Sequence, residues 1–176
     1  MRKVPALLSI NALAETLVTL AREKNITFGT AESCTGGMIS AAVTDVSGAS
    51  AVFYGGIVSY DNSVKHRLLG VREETLASVG AVSPETAREM SEGAVKALFV
   101  DFAVSVTGIA GPGGGTPTKP VGLVYISTAS KNGVIAVKEN HFNGNREEVR
   151  RQTVEAALTM LICAIEHDQC PQESLF

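Results

Sequence analysis

The chain has 176 residues, 45% hydrophobic, 19% charged and 5% aromatic, with a formal charge of −3. At about 150 residues per domain this length predicts one domain, and a chain of this size buries roughly 70% of its unfolded surface, enough to fold without disulfides or a structural metal. The slight acidic balance excludes a nucleic-acid or membrane-surface binder built on a basic face, and the apolar content excludes a disordered chain.

Cys34, Cys163 and Cys170 form neither a disulfide framework nor a C-x-x-C pair, and His66, His141 and His167 lack metal-ligand spacing. Ala157 to Ile165 is the longest apolar run, short of the about 18 residues that span a bilayer. Arg2 and Lys3 before Val4 to Ile10, followed by Ala12-Leu13-Ala14, have the outline of a secretory leader. However, Ile10, Leu13, Leu17, Val18 and Ala21 recur at helical spacing, so the stretch is read as the start of a domain and the location as cytoplasmic.

Periodicity predicts a helix over Asn11 to Lys24, a strand over Thr27 to Glu32, and a small-residue helix from Gly36-Gly37 to about Val46. A second strand covers Val52 to Tyr60, with Gly55-Gly56 marking a bulge. Short helices follow at Val64 to Leu69 and Glu73 to Val79. Ser83-Pro84-Glu85 starts a longer helix with an N-cap serine and a proline at its first position, its apolar face being Ala87, Met90, Ala94, Ala97 and Leu98. Phe102 to Val106 is a buried strand, Thr107 to Pro120 a glycine- and proline-rich loop. Val121 to Thr128 and Val134 to Phe142 pair as a hairpin across Lys131-Asn132-Gly133. The last helix opens at Asn145 with Glu148 as capping-box partner and carries the stripe Val149, Thr153, Ala156, Ala157, Met160, Leu161 and Ala164. Helices alternating with strands, then a hairpin, predict a three-layer α/β/α domain with a mixed, mostly parallel sheet.

Three stretches could carry chemistry. Ala31 to Gly37 lies where a strand turns into a helix, a junction that exposes one side chain beside unpaired helix N-terminal amides. There Ser33 is either a nucleophile or, with Thr35, a helix cap, and Cys34 is either a nucleophile or a small buried group. The pattern is not the G-x-S-x-G elbow. A nucleophilic serine needs a base. His66 and His141 have no orienting acid, and Lys65 serves only if burial or neighbouring positive charge lowers its pKa. The second stretch, Thr107 to Gly122, holds six of the seventeen glycines and three of the six prolines. It matches neither a Walker A loop nor a Rossmann fingerprint, but its amides with Thr107, Thr116 and Lys119 suit an anionic ligand. Thirdly, Arg146 is a cation at the positive end of the last helix, a placement that an anionic ligand would explain. Arg150 and Arg151 are expected in solvent.

Five motifs in order, AESCTGG (31–37), YDNSVKHRLLGV (60–71), GAVSPE (80–85), Thr107 to Gly122 and GNREEVRRQTVEAAL (144–158), resemble the CinA C-terminal domain family, whose enzymatic members are nicotinamide-nucleotide amidohydrolases. The resemblance runs from about Leu13 to Ile165, leaves 1–10 and Cys170 to Phe176 unmatched, and lacks the molybdopterin-binding-like domain that precedes it in many members. It implies a single amidohydrolase domain over 1–176 with a core of about 13–166. It also implies hydrolysis of nicotinamide mononucleotide to nicotinate mononucleotide and ammonia, with no metal or redox cofactor. By the resemblance Ser33 is the nucleophile, Lys65 its base and Tyr60 part of the site. Amides of Thr35, Gly36 and Gly37 stabilise the oxyanion, and Arg146 stabilises charge or anchors substrate. Thr107, Gly108, Gly111, Gly113, Gly114 and Lys119 hold ribose and phosphate. A homodimer or other homo-oligomer is implied as well. The competing readings are a non-catalytic nucleotide-binding module associated with competence and an amidohydrolase of another small amide.

Overall fold

A computed structural model describes residues 9–167 and places the elements in the predicted order. The leader-like residues Arg2, Lys3 and Val4, and Cys170, lie outside the described residues. Helix α1 (Ile10–Glu23) starts where the Ser9 hydroxyl accepts the Ala12 amide at 3.2 Å, and buries Leu13, Ala14, Leu17, Val18 and Ala21, the stripe expected from spacing. Strand β1 (Phe28–Glu32) is wholly buried and leads to α2 (Met38–Thr44). Then come β2 (Phe53–Val58), α3 (Asn62–Leu69), α4 (Glu73–Ser78) and α5 (Pro84–Leu98). The Ser83 hydroxyl caps α5 by accepting the Thr86 amide at 3.1 Å. The buried face of α5 turns toward Ser91, Gly93 and Val95 and leaves the expected Ala97 exposed. Strands β3 (Phe102–Gly108), β4 (Leu123–Ser130) and β5 (Gly133–His141) complete the sheet, and α6 (Arg146–His167) closes the domain.

The strand order is β2-β1-β3-β4-β5. β1 runs parallel to β2 and β3, whereas β3/β4 and β4/β5 are antiparallel, so four strands point one way and only β4 opposes them. The predicted hairpin closes with Ser130 opposite Gly133. The capping box of α6 is reciprocal: Glu148 N donates to Asn145 Oδ1 at 3.0 Å and Asn145 N to Glu148 Oε2 at 2.7 Å. The α6 stripe is wider than expected, adding Val154, Leu158, Ile162 and Ile165, because the helix packs against both α1 and the sheet.

Strand alternation sorts the side chains into two cores. Phe28, Phe102, Val104 and Val106 join α1, α2 and α6 in the larger one, while Ala31 and Ala103 lie with Met90 and Ala94 of α5 in the smaller. Small residues on that second face let α5 approach until Ser105 Oγ bonds the Ala87 carbonyl at 2.5 Å. β2 ends two residues earlier than predicted, so Ser59 and Tyr60 leave the sheet. The irregularity expected at Gly55-Gly56 falls one residue earlier: Phe28 pairs with Phe53 and Gly29 with Gly55, skipping Tyr54. Gly56 is required by space, since a Cβ would collide with Thr30 Oγ1 and Ser40 Oγ.

The chain leaves β1 toward β2 on one side and leaves β3 toward β4 on the other. Their carboxyl ends therefore flank a topological switch point, where open α/β sheets form ligand crevices. Ser33 follows β1, Ser59 and Tyr60 follow β2, and Thr107 and Gly108 end β3.

Candidate active site

Ser33 begins the turn between β1 and α2, anchored by its amide to the Val106 carbonyl at 3.1 Å and by its carbonyl to the Gly36 amide at 3.1 Å. Glu32, fully buried and pointing to the opposite face, holds the turn from beneath. Its Oε2 accepts Thr35 Oγ1 at 2.7 Å and the amides of Gly37 and Ile39 at 3.0 Å each. Oε1 accepts the Ser40 amide at 2.8 Å and Ser40 Oγ at 2.7 Å. The protein thus supplies its own anion to the α2 N-terminus. Gly36 and Gly37 take φ of +62° and +102°, conformations that suit glycine, to make the tight turn.

This corrects the expected oxyanion donors. The Gly37 amide belongs to Glu32, the Gly36 amide to Ser33, and Thr35 is fully buried with its hydroxyl on Glu32; none of the three lines the cleft described below. Cys34 does line it, and no other described residue accepts its amide, which lies against its own sulfur.

Lys65 lies on α3, whose N-cap Asp61 accepts the Ser63 amide at 2.8 Å. Only Lys65 and Leu69, four residues apart on one face, are buried in this helix. The Lys65 side chain is 1% exposed, and Nζ lies 3.1 Å from Ser33 Oγ, 2.7 Å from the Ser59 carbonyl and 3.1 Å from the Tyr60 carbonyl. Desolvation pushes its pKa below the ordinary lysine value of 10.5, against a smaller opposing pull from Asp61. The Cys34 thiol, also buried, is pushed by desolvation up to about 12, so it stays protonated and un-nucleophilic at neutral pH.

Ser33, Lys65 and Tyr60 open into a cleft of about 270 Å³ walled by Ala81 and Val82, Thr107 and Gly108, the loop residues Gly111, Gly113 and Gly114, and Arg146. Arg146 donates to the Gly111 carbonyl at 2.8 Å and reaches Tyr60 Oη at 3.4 Å, bridging two sides of the opening. The lining holds two basic side chains, Lys65 and Arg146, and no carboxylate, although the chain is acidic overall. Thr107 is at the wall, but its hydroxyl is given to the Ala81 carbonyl at 2.7 Å. Lys119 is not brought to the cleft: its Nζ bonds the Val79 carbonyl at 2.5 Å and ties the glycine-rich loop to the segment before α5. Neither His66, on the Val71 carbonyl at 2.8 Å, nor His141, paired with Glu139, reaches the cleft. Among the described residues no three His, Cys, Asp or Glu side chains gather as a metal-binding group, and no helix is long and apolar enough to cross a membrane.

Sequence reading missed three contributors. Glu32 gave no signal beyond its place in the motif, Ser59 read as part of a strand, and Arg150 was expected in solvent. Arg150 instead donates from Nε to the Cys34 carbonyl at 3.1 Å and from Nη2 to the Thr35 carbonyl at 2.8 Å. Arg151 does lie at the surface, paired with Glu155.

Comparison with known proteins agrees with this architecture. A model of the CinA C-terminal domain matches residues 10–165. A CinA-like protein of Leptospira borgpetersenii is 55% identical over 147 residues, 84% of this chain and 35% of its own length. A putative competence-damage inducible protein of Thermoanaerobacter sp. is 50% identical over 149 residues, 85% of this chain and 36% of its own length. The chain therefore spans about a third of the length of these relatives. Among solved structures, the competence/damage inducible protein CihA from Agrobacterium tumefaciens superposes with a TM-score of 0.87 at 45% identity, covering 94% of this chain and 99% of its own. A CinA superfamily protein from Escherichia coli gives 0.85 at 29% identity, over 91% and 94%. Matched by the family model over residues 10–165 and superposed over nearly its whole length on a solved relative, this chain belongs to the CinA C-terminal domain family.

Proposed function

We propose that the domain hydrolyses the carboxamide of nicotinamide mononucleotide, giving nicotinate mononucleotide and ammonia through an acyl-enzyme on Ser33. The observation that carries this reading is the placement of Lys65 Nζ, 3.1 Å from Ser33 Oγ, buried, and held by two carbonyls instead of a carboxylate. A neutral lysine amine has two N–H groups and one lone pair. With the N–H groups given to the Ser59 and Tyr60 carbonyls, the lone pair faces the Ser33 hydroxyl, the arrangement a base needs.

Ser33 Oγ then attacks the amide carbon as its proton passes to Lys65, and the carbonyl electron pair moves to oxygen. The Cys34 amide, which no other described residue takes, stabilises that oxyanion. Collapse breaks the C–N bond, and Lys65 returns the proton to departing ammonia. Water, deprotonated by Lys65, attacks the ester, and the proton goes back to Ser33 as the acid leaves. The Arg146 guanidinium, the lack of a lining carboxylate and the glycine-rich amides support an anionic substrate, with Arg146 at the mouth meeting the phosphate. Binding energy from the phosphate positions the amide, so nicotinamide alone is a poor substrate.

Ammonia release from nicotinamide mononucleotide, nicotinamide and NAD in parallel tests the proposal. Turnover of the mononucleotide well above the other two is expected. A folded protein that binds the mononucleotide without releasing ammonia is a binding module, and turnover of a different small amide reassigns the substrate.

A further inference from the structure

Arg150 belongs to no part of the scheme above, yet it spends a bidentate guanidinium on two backbone carbonyls. It sits one turn after Arg146 on α6, near the positive end of the helix, where a cation is electrostatically disfavoured. The two arginines reach the two loops that flank the crevice: Arg146 takes Gly111 after β3, and Arg150 takes Cys34 and Thr35 after β1. Arg150 is half-buried and packs over Gly36, where an added Cβ would stand 3.5 Å from Nη2.

The turn is therefore held from two sides. From within the fold, Glu32 takes the amides of Gly37, Ile39 and Ser40 and the Thr35 hydroxyl. From α6, Arg150 takes the carbonyls of Cys34 and Thr35. A planar trans peptide points its carbonyl and its N–H in opposite directions, so fixing successive carbonyls fixes the rotation of each peptide plane in the turn. The Ser33 carbonyl is committed to the Gly36 amide, which directs the Cys34 N–H away from the turn, and Cys34 lines the cleft.

We infer that Arg150 is a positioning residue: its guanidinium locks the Ser33–Gly37 turn in the rotation that presents Ser33 Oγ to Lys65 and the Cys34 amide to the developing oxyanion. The inference rests on the serine–lysine reading but not on the identity of the substrate.

The test compares wild type, Arg150→Ala and Arg150→Lys by two readouts. The first is the rate at which a serine-directed fluorophosphonate labels Ser33, followed by intact mass; Oγ bonds phosphorus, fluoride leaves and Lys65 takes the proton. The second is kcat and KM for nicotinamide mononucleotide. Loss of a positioned donor costs up to 10²–10³ in rate, so Arg150→Ala is expected to lose on the order of thirtyfold in labelling and in kcat. KM should stay within about twofold and the pH midpoint of labelling should not move, because neither the substrate contacts nor Lys65 is altered. Arg150→Lys, with one donor geometry in place of a fork, recovers only part of the rate, and added guanidinium restores Arg150→Ala toward wild type. If wild type labels at Ser33 but leaves the mononucleotide intact, the substrate assignment fails and the labelling series still decides the role of Arg150. The inference is overturned by wild-type labelling in folded Arg150→Ala, by a change confined to KM, by a shifted pH midpoint, by unfolding of both variants, or by a wild-type Ser33 that neither labels nor turns over.

Discussion

Lys65 meets two carbonyls and a serine hydroxyl where a structural lysine would meet a carboxylate or water. Burial desolvates the Lys65 amine and disfavours the ammonium, so kcat/KM should climb with pH to a midpoint below the 10.5 of an ordinary lysine. A pH–rate profile still climbing steeply above 10.5 would contradict it. Ser33→Ala and Lys65→Ala should each lower kcat by about a thousandfold or more, some 4 kcal/mol of barrier, in proteins that remain folded by circular dichroism. On the proposed scheme Cys34→Ala should keep most of the activity, because burial raises the thiol to about 12 and the scheme uses only the Cys34 backbone. Lost activity in folded Cys34→Ala would instead identify a thiol mechanism. At this scale the sequence was half legible. Ser33 stood at a readable strand–helix junction, but Lys65 looked like one more charge beside His66 and Arg67. The local hint was its spacing from Leu69, which puts both on the inward face of α3. Lys119 carried the opposite lesson: a cation in a glycine-rich loop suited an anion, and the fold used it to hold a carbonyl 40 residues away.

The turn between β1 and α2 is the element on which the site depends, and Glu32 is what holds it. A buried carboxylate that receives three amides and three hydroxyls cannot be replaced by an amide of the same shape, because the nitrogen would face donors. Glu32→Gln should therefore cost on the order of 3 kcal/mol, read as a lower urea midpoint with an unchanged slope. A loss below about 0.5 kcal/mol would show that the turn is held by other contacts. The elements themselves were largely readable: caps at Ser83 and Asn145 and the hairpin appear where local chemistry put them, and the β2 irregularity falls at Tyr54, one residue before the expected Gly55-Gly56. What local reading could not supply was partnership between distant elements. Nothing near Arg150 in sequence indicates that α6 will lie over the residues after β1, so a half-buried guanidinium read as a solvated one.

Over the whole molecule, strand order does what no motif does alone. It brings the ends of β1, β2 and β3 to one rim, so that residues 33, 60, 65, 107 and 146 share a cleft. The mixed sheet and its late hairpin followed from the order of the elements, whereas the crevice required knowing that β1 lies between β2 and β3. The same burial has a consequence for stability. Lys65 titrates below 10.5 in the folded chain, so between that lowered value and 10.5 the unfolded chain binds more protons, and stability rises with pH. Urea midpoints of wild type and Lys65→Met across the alkaline range should show wild type gaining on the variant; a constant difference would contradict this. Asp101 acts at the other end. Burial opposes its ionisation, but the Thr27 amide and hydroxyl and the Lys131 ammonium together hold its pKa below 3.8. Its contribution is therefore present above 3.8 and lost as pH falls through the lower folded value.

The proposed acyl-enzyme on Ser33 is the step on which the rest depends, and hydroxylamine would report it directly by competing with water for the ester. Wild type turning over nicotinamide mononucleotide in rising hydroxylamine should form the hydroxamate of nicotinate mononucleotide in proportion to the nucleophile, and Ser33→Ala should form none. Ammonia release without hydroxamate, or hydroxamate persisting in Ser33→Ala, would contradict a serine ester and with it the role assigned to Lys65.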